Sequence, residues 1–405
     1  MKDILISGAS IAGPTLAYWL HRHGFRPTVV ERAPSVREGG YAVDVRGPAR
    51  DVLARMGLEE AARAANTDTR STSFLDPRGR VTATVHGGFG VLDPDDLEIM
   101  RGDLARILYE ATRADVPYLF DDSVTALEEQ REGVLVRFAR QPARHFDLVI
   151  GADGVRSNIR RLAFGDEAPF VRPLGMAMAI FTAPNFLGLD REQLMYMSPG
   201  KVVSVKSDRG NRDVKVCLFF AAPSDPVAAD LHRNADAAKA LITEVFAVAG
   251  WQFPALLRAM EASPDFYFDL TSQVRMERWS RGRVSLVGDA CGCPSPLTGQ
   301  GTSLALVGAH ELARALAETA GDHTTAFSRY EARMRPFIRG NQDQASRVAA
   351  SFAPRTRRQL WWRNASLKLL THLPFSDRVM KLAMRDMRTA AHAYALPPHS
   401  CPRLT

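Results

Sequence analysis

Residues 4–13 read Ile4-Leu5-Ile6-Ser7-Gly8-Ala9-Ser10-Ile11-Ala12-Gly13, an apolar run that ends in a glycine-rich turn. The apolar run predicts a buried strand, and the helical spacing from Pro14 to His23 predicts a helix after the turn. Gly8 permits a tight bend, Gly13 permits close packing of the helix on the sheet, and Ser10 is a mild departure from a middle glycine. Because the first amides of the helix would face a pyrophosphate, this stretch predicts a dinucleotide-binding turn.

An acidic residue follows at the distance that such a turn requires. Glu31 ends the next strand, which contains Thr28, Val29 and Val30, and it lies 23 residues beyond Gly8. A carboxylate at this place can accept hydrogen bonds from both ribose hydroxyls, and it disfavours a 2′-phosphate there. Strand, turn, helix and acid together predict a βαβ unit that binds a nucleotide.

Length and composition exclude several classes of protein. The chain has 405 residues, of which 46% are hydrophobic, so it can form two or three cores. No apolar run approaches the roughly 18 residues that a membrane-spanning helix needs. The chain enters a strand directly after Met1, Lys2 and Asp3, without a leader, so we expect a cytoplasmic protein.

The charge balance and the cysteines give no evidence for nucleic acid or metal binding. Lys and Arg total 52 against 45 Asp and Glu, a net charge of +7, but the arginines are scattered rather than arranged in a stripe. Cys291 and Cys293 lack a second Cys or His pair at the spacing of a zinc site, and Cys217 and Cys401 lie far away. We therefore expect no nucleic-acid partner, no disulfide framework and no metal.

Two later motifs also follow predicted buried strands. The first is Gly151–Ser157, after a strand over residues 146–150; the second is Gly288-Asp289-Ala290, after a strand over 283–287. The segment 294–302 then leads into a helix through Leu316. An aspartate at the end of a buried strand can bind a sugar-alcohol hydroxyl, and bare amides at a helix start attract an electron-rich group. Taken singly, each motif is more typical of a β-turn followed by a helix cap.

In this order, the motifs resemble the single-component FAD-dependent aromatic hydroxylases of the para-hydroxybenzoate hydroxylase type. The resemblance covers residues 1 to about 340 and includes Arg101 at the start of a helix over 101–113. Within that family, the segment Gly39–Gly47 is most similar to the tetracycline-inactivating monooxygenases. The resemblance implies an FAD-dependent monooxygenase that uses O2, with NADPH or NADH as a transient co-substrate.

The implied reaction is hydroxylation of an aromatic or polyketide-like small molecule through a flavin C4a-hydroperoxide. Such chemistry resides in the cofactor, so no side chain need act as an acid or base and no catalytic residue is predicted. The substrate itself and the oligomeric state are not predicted.

The resemblance also implies a role for each matching residue. The cofactor-binding set comprises Gly8, Ser10, Ile11, Ala12 and Gly13 at the ADP pyrophosphate; Glu31 at the ribose and Arg32 beside the adenosine; Asp44 and Arg46 near the isoalloxazine; Arg101 and Asp289 at the ribityl and phosphate region; Asp153 and Arg156 for FAD and NAD(P)H; and Pro296, Gly299, Gln300, Gly301 and Thr302 at the pyrimidine end.

The expected fold class is α/β, with a Rossmann-like FAD-binding domain, an inserted, mostly β substrate domain and a C-terminal helical segment. The FAD domain would comprise residues 1–70, 97–166 and 275–345, the substrate domain 71–96 and 167–274, and the helices and tail 346–405. The β domain should hold a strand pair over 71–91 and one helix over 235–249. Four methionines at period two, Met176, Met178, Met195 and Met197, fit a substrate pocket or a core equally well.

Other functions remain open from sequence alone. A flavin-dependent halogenase or reductase can use the same FAD domain, although the chain lacks the Trp-x-Trp-x-Ile-Pro segment of halogenases and is poor in lysine. The net charge also permits a non-catalytic flavin-binding or nucleic-acid-binding protein. The cluster Arg355–Arg358 before Trp361 and Trp362 predicts a solvated helix face with a buried tryptophan pair.

Overall fold

The computed structural model describes residues 2–37, 39–86, 95–222, 231–372, 382 and 385–397, without the side chains of 370–372. The strands are β1 (Asp3–Ser7), β2 (Arg26–Glu31), β3 (Ala42–Val45), β4 (Ser71–Leu75), β5 (Val81–His86), β6 (Leu97–Met100), β7 (Tyr118–Phe120), β8 (Val124–Gln130), β9 (Gly133–Phe138), β10 (Arg144–Phe146), β11 (Leu148–Gly151), β12 (Val171–Pro184), β13 (Glu192–Ser198), β14 (Lys201–Ser207), β15 (Asp213–Ala221), β16 (Tyr267–Val274), β17 (Ser280–Arg281) and β18 (Val284–Leu286). The helices are α1 (Ala12–Arg22), α2 (Pro48–Arg55), α3 (Glu59–Ala64), α4 (Arg101–Glu110), α5 (Asn158–Phe164), α6 (Ala235–Phe246), α7 (Phe253–Ala262), α8 (Asp289–Gly292), α9 (Gly301–Glu318), α10 (His323–Phe352), α11 (Arg357–His372) and α12 (Arg385–Ala391).

A mostly parallel sheet, in the order β17-β18-β11-β1-β2-β7, forms the first layer. Strand β1 pairs in parallel with both β2 and β11, and β11 pairs in parallel with β18. All four strands therefore end at one edge of the sheet, which is where ligands bind in open α/β folds. The segments that follow them, beginning at Gly8, Arg32, Ala152 and Val287, meet at that edge, where Glu31 ends β2. The α/β fold class with a Rossmann-like sheet is confirmed.

The second sheet runs β16-β12-β15-β14-β13-β4-β5. Strand β4 pairs in parallel with β13, so the strand pair β4–β5 joins strands that lie more than 100 residues later in the chain. One face of this sheet carries a core cluster that includes Phe181, Phe220 and Val216, and this cluster also contains residues of α6 and α7. Residues 87–91 of the predicted strand pair lie outside the described part of the chain.

Several predicted elements need correction. The single strand predicted over 146–150 is two strands: β10 pairs antiparallel with β9, whereas β11 pairs in parallel with β1. They separate at Asp147, whose carboxylate accepts a 2.7 Å hydrogen bond from the amide of Asp3. Within the predicted β domain the sequence predicted one helix, over 235–249, but a second one, α7, follows it and carries a proline in its first turn, where proline is tolerated.

Helix α11 buries the opposite face from the one predicted. Among the α11 side chains that the structure describes, Leu360 and Leu367, two helical turns apart, are buried, and they pack with Met197 and Phe74 of the second sheet. Trp361 and Trp362 are 62% and 58% exposed, so the prediction of a buried tryptophan pair is wrong. Among the described residues, no helix is both long and apolar enough to cross a membrane.

Helix α9 carries a buried carboxylate that should make stability depend on acid pH. Although burial alone raises the pKa of Glu311, hydrogen bonds from His310 and Arg314 outweigh it and lower this pKa to about 2. A carboxyl whose pKa is depressed by folding stabilises the protein above its unfolded pKa, about 4.3, and this stabilisation is lost as pH falls toward 2.

We therefore expect Glu311→Gln to flatten the dependence of the free energy of unfolding on pH between about 4.5 and 2, by up to ~1.4 kcal/mol per pH unit. Urea unfolding at a series of pH values measures this slope. The matched control is Glu128→Gln, whose carboxylate forms an exposed pair with Arg137 and should leave the slope unchanged. Parallel pH profiles for Glu311→Gln and wild type would contradict the assignment.

Candidate functional site: a nucleotide cleft at the edge of the parallel sheet

The glycine-rich turn is fixed by contacts that no larger residue would allow. Gly8 has a φ of +111°, and a Cβ atom there would lie 2.5 Å from the carbonyl oxygen of Ala152. A Cβ atom at Gly13 would lie 1.8 Å from the carbonyl oxygen of Gly8. The α1 helix that begins here has no capping side chain and no acidic residue in its first turn. Its unsatisfied amides and dipole therefore suit an anion such as a pyrophosphate.

Glu31 lies directly beside this turn, as the spacing predicted. Its two carboxylate oxygens accept hydrogen bonds from the amides of Ala9, at 2.9 Å, and Ala33, at 3.0 Å. Oε1 also pairs with Arg37 at 3.5 Å, whereas Oε2 keeps a further lone pair that can accept a ribose hydroxyl. Arg32 is exposed next to it. The position of Glu31 fits a nucleoside at the end of β2.

Asp289, Arg101 and Tyr41 come together, and each of them is half-buried. Burial raises the pKa of the Asp289 carboxyl, whereas the Cys293 thiol and the Arg101 guanidinium lower it. Burial likewise raises the pKa of the Tyr41 phenol, and Arg101 opposes this shift. The Arg101 Nε atom is buried without a hydrogen-bond partner. A cation and a carboxylate therefore lie close together, and the Nε–H group of Arg101 can still donate a hydrogen bond to a ligand.

The third part of the site joins β3 to the start of α9. Arg46 donates to the carboxylate of Asp44, and its amide donates to the Ser303 hydroxyl at 3.1 Å. Gly299 sits against this pair, since a Cβ atom there would lie 2.5 Å from Oδ2 of Asp44. Helix α9 also lacks a side-chain cap and an acid in its first turn. The segment around Gly299 and Gln300 is therefore held close to Asp44 and Arg46.

Buried polar atoms without partners mark this region as a binding site. They are Nε and Nη1 of Arg46 and both amide atoms of Gln300, in side chains that are 4% and 2% exposed. Each unsatisfied buried polar group costs about 1–3 kcal/mol, and native proteins avoid such groups. A planar heterocycle with carbonyl and ring-nitrogen acceptors and an N–H donor would satisfy them. The residues present therefore fit a flavin at this position.

Two predicted residues form other bonds instead. Asp153 accepts hydrogen bonds from the Ser157 hydroxyl and, at 3.0 Å, from the amide of Ile159, so it holds the start of α5. Arg156 forms ion pairs with Glu167 at 2.6 Å and Asp269 at 2.9 Å. Both side chains are used within the protein, and their part in binding FAD and NAD(P)H stays a prediction.

Sequence reasoning missed a second buried ion pair beside the flavin region. Lys206 of β14 contacts the carboxylate of Glu98, which also accepts hydrogen bonds from Thr67 at 2.5 Å and Thr69 at 3.1 Å. Glu98 lies opposite Asp44 in the β3–β6 pair. A single lysine within a strand gives no signal for this contact, which connects the second sheet to the flavin region.

The comparisons with known proteins agree with this geometry. Residues 1–345 match a family model described as FAD binding domain. An uncharacterized protein of Mycobacterium tuberculosis is 47% identical over 84% of this chain and 92% of its own length. A flavin-dependent monooxygenase of Legionella longbeachae is 40% identical over 86% of this chain and 89% of its own length. The crystal structure of tetracycline destructase Tet(51) matches with a TM-score of 0.85 and 33% sequence identity. The match covers 98% of this chain and 100% of the destructase chain.

Proposed function

We propose that NADPH or NADH is the electron donor of this protein and that an aromatic or polyketide-like small molecule is its substrate. The proposal proceeds from the family: the chain belongs to the FAD binding domain family and is an FAD-dependent monooxygenase. The observation that carries this proposal is the set of unpartnered buried atoms on Arg46 and Gln300 at the start of α9. When bound, FAD supplies the redox chemistry by accepting two electrons from NAD(P)H and delivering one oxygen atom of O2 to the substrate.

The chain binds the two ends of the cofactor in different ways. The first turn of α1 would hold the pyrophosphate through its amides, and Glu31 would hold the adenosine ribose. Asp289 would accept hydrogen bonds from ribityl hydroxyls, with Arg101 beside it providing positive charge for a phosphate. These groups orient the cofactor and do not take part in bond making.

The start of α9 has a second use, which is to stabilise negative charge. A helix N-terminus stabilises an adjacent anion by roughly 0.3–2 kcal/mol. Gln300 and Arg46 add donors at the same place, in an environment where water is excluded. Negative charge that builds up on two-electron reduction would therefore be favoured at this end of the site.

The open face of the second sheet would bind the substrate. Lys206 contacts Glu98 at one side of this face. At the other side Asp265, which binds Lys215 and Thr182, lies about 3.5 Å from where a Cβ atom on Gly39 would be. The two contacts bracket a region on the face of the sheet opposite α6 and α7, where Met178 and Phe219 are paired across β12 and β15 and Phe219 packs against Phe352 of α10.

Apolar side chains with a few polar groups suit a flat, partly oxygenated ring system. Two of the four methionines pack elsewhere, because Met197 belongs to the cluster under α11 and Met195 packs against that cluster. The division into an FAD domain and a substrate domain belongs to this proposal, and the membership of β4 and β5 in the second sheet supports it. A cytoplasmic location and the absence of a nucleic-acid partner stay predictions.

The proposal is tested with the FAD-loaded protein. We expect NADPH or NADH to bleach its flavin absorbance under anaerobic conditions, faster when a substrate is bound. Mass spectrometry of aerobic reactions with phenols, quinolones and tetracyclines would then identify an oxygenated product; tetracyclines enter the panel because of the similarity to a tetracycline destructase. A loaded flavin that neither nucleotide reduces, with or without each panel member, would contradict the proposal.

A further inference from the structure

A cavity of about 260 Å³ lies between the end of β16 and helix α10. None of the residues predicted to bind FAD lines it. Its inner wall is buried and includes Trp279, Ile338 and Gln342, and it touches α8 through Cys291, two residues after Asp289. The charged residues that line it come from three parts of the chain: Arg172, Arg275, Glu277, Arg335 and Arg339. A cavity with four arginines and one carboxylate favours an anionic ligand.

Two of these arginines are fixed in place by the protein. Arg335 donates to the carbonyl oxygens of Met276, at 3.0 Å, and Glu277, at 2.5 Å, and its guanidinium stacks 4.8 Å from the Trp279 ring centroid. Arg275 donates to Gln273 at 2.9 Å and to Asp343 at 3.0 Å. Because their orientations are already set, a ligand that contacts them loses little conformational entropy on binding.

The other two arginines have their charge uncompensated. Arg172, on β12, and Arg339, on α10, are exposed, and neither guanidinium forms an ion pair or hydrogen bond with any residue that the structure describes. Asp343 is occupied with Arg275, and Glu331 is occupied with Arg335. Among the described residues that line the cavity, Glu277 is the single carboxylate, so the unpaired cations outnumber it.

We propose that this cavity binds a phosphate monoester group. Guanidinium groups form forked, charge-assisted hydrogen bonds with phosphate oxygens, and arginines from separate elements can surround a dianion. The cavity is slightly below the roughly 300 Å³ at which pockets for drug-sized ligands begin, so it fits a phosphorylated fragment rather than a whole dinucleotide.

Two sources can supply such a group. One is the 2′-phosphate of NADPH, and this source rests on the proposed function. The glycine-rich turn and Glu31 are assigned to FAD, so the 2′-phosphate of NADPH needs a cationic site elsewhere. The other source is a small phosphorylated metabolite, which is independent of the electron donor.

The test uses the FAD-loaded protein at low ionic strength, titrated calorimetrically with 2′-AMP and with inorganic phosphate. We expect saturable binding of 2′-AMP that becomes at least tenfold weaker in the double variant Arg172→Gln/Arg339→Gln. The matched control is Arg258→Gln on α7, an exposed arginine for which the described residues provide no partner, and its affinity should equal that of wild type. Flavin content and melting temperature verify that each variant is folded.

The steady-state kinetics of the same proteins distinguish the two sources. A rise of at least fivefold in the KM for NADPH, with the KM for NADH unchanged, identifies the 2′-phosphate of NADPH. Loss of 2′-AMP binding with both KM values unchanged identifies a separate metabolite. The proposal is overturned if the wild-type protein shows no saturable binding, or if the double variant binds as tightly as wild type. Since the titration requires no turnover, its failure is distinguishable from failure of the proposed function.

Discussion

Replacing Gly13 by alanine is expected to give a protein that does not retain FAD. The new Cβ atom would lie 1.8 Å from the carbonyl oxygen of Gly8, and a backbone atom cannot rotate away as a side chain can. The turn must therefore open, and with it the approach of the α1 amides to the pyrophosphate. We expect a loss of stability of more than about 2 kcal/mol and a colourless preparation even after incubation with FAD. Flavin absorbance and thermal unfolding measure the two effects.

Gly340→Ala is the matched control for this experiment. Gly340 lies on the exposed side of α10, and a Cβ atom there would meet nothing within 4 Å. Alanine in a helix interior is favoured over glycine by about 0.5–1 kcal/mol, so this variant should be slightly more stable than wild type and should retain the wild-type flavin content. Normal flavin content in Gly13→Ala would contradict the assignment of the turn to the cofactor.

Asp289→Ala is expected to weaken FAD binding about 100-fold without unfolding the protein. The carboxylate is half-buried at the start of α8, beside Arg101, and a Cβ atom on Gly301 would lie 3.6 Å from its Oδ1 atom. Hydrogen bonds to a charged group contribute roughly 1.5–3 kcal/mol, which corresponds to a loss of this size. Fluorescence titration of the apoprotein with FAD gives the dissociation constant.

Two further variants determine the cause of the loss. Asp289→Asn keeps the size and an acceptor oxygen but removes the charge, so an intermediate affinity is expected. Asp103→Asn removes an exposed carboxylate on α4 that pairs with Arg106, and it should bind FAD as wild type does. Unchanged affinity in Asp289→Ala would show that this carboxylate does not contact the cofactor.

The parts of the site that could be predicted are those that follow parallel strands. Glycine-rich and acidic segments after β1, β2, β11 and β18 had to meet, because the carboxyl ends of neighbouring parallel strands share one edge. Local spacing was sufficient for Gly8 and Glu31, and both lie as predicted. The family resemblance was needed to connect Arg101 and Asp289, which are 188 residues apart.

What could not be predicted depends on packing between distant elements. The contact of Lys206 with Glu98 requires knowing that β14 lies over the β3–β6 pair, and no local pattern encodes this. Trp361 and Trp362 were predicted to be the buried pair of a helix whose arginines face solvent, yet Leu360 and Leu367 are the residues buried there. The four arginines of the cavity come from segments up to 167 residues apart, between Arg172 and Arg339, and none belongs to a motif.

The most direct test of the account is an oxygen-isotope experiment. The reaction contains the FAD-loaded protein, NADPH or NADH and a substrate found in the panel. It proceeds under oxygen-18 gas in ordinary water, and mass spectrometry measures the mass of the product. The account predicts one oxygen-18 atom in each product molecule, with one NAD(P)H oxidised per product formed. A product whose new oxygen comes from water, or oxidation of NAD(P)H that yields only hydrogen peroxide with every substrate, would contradict it.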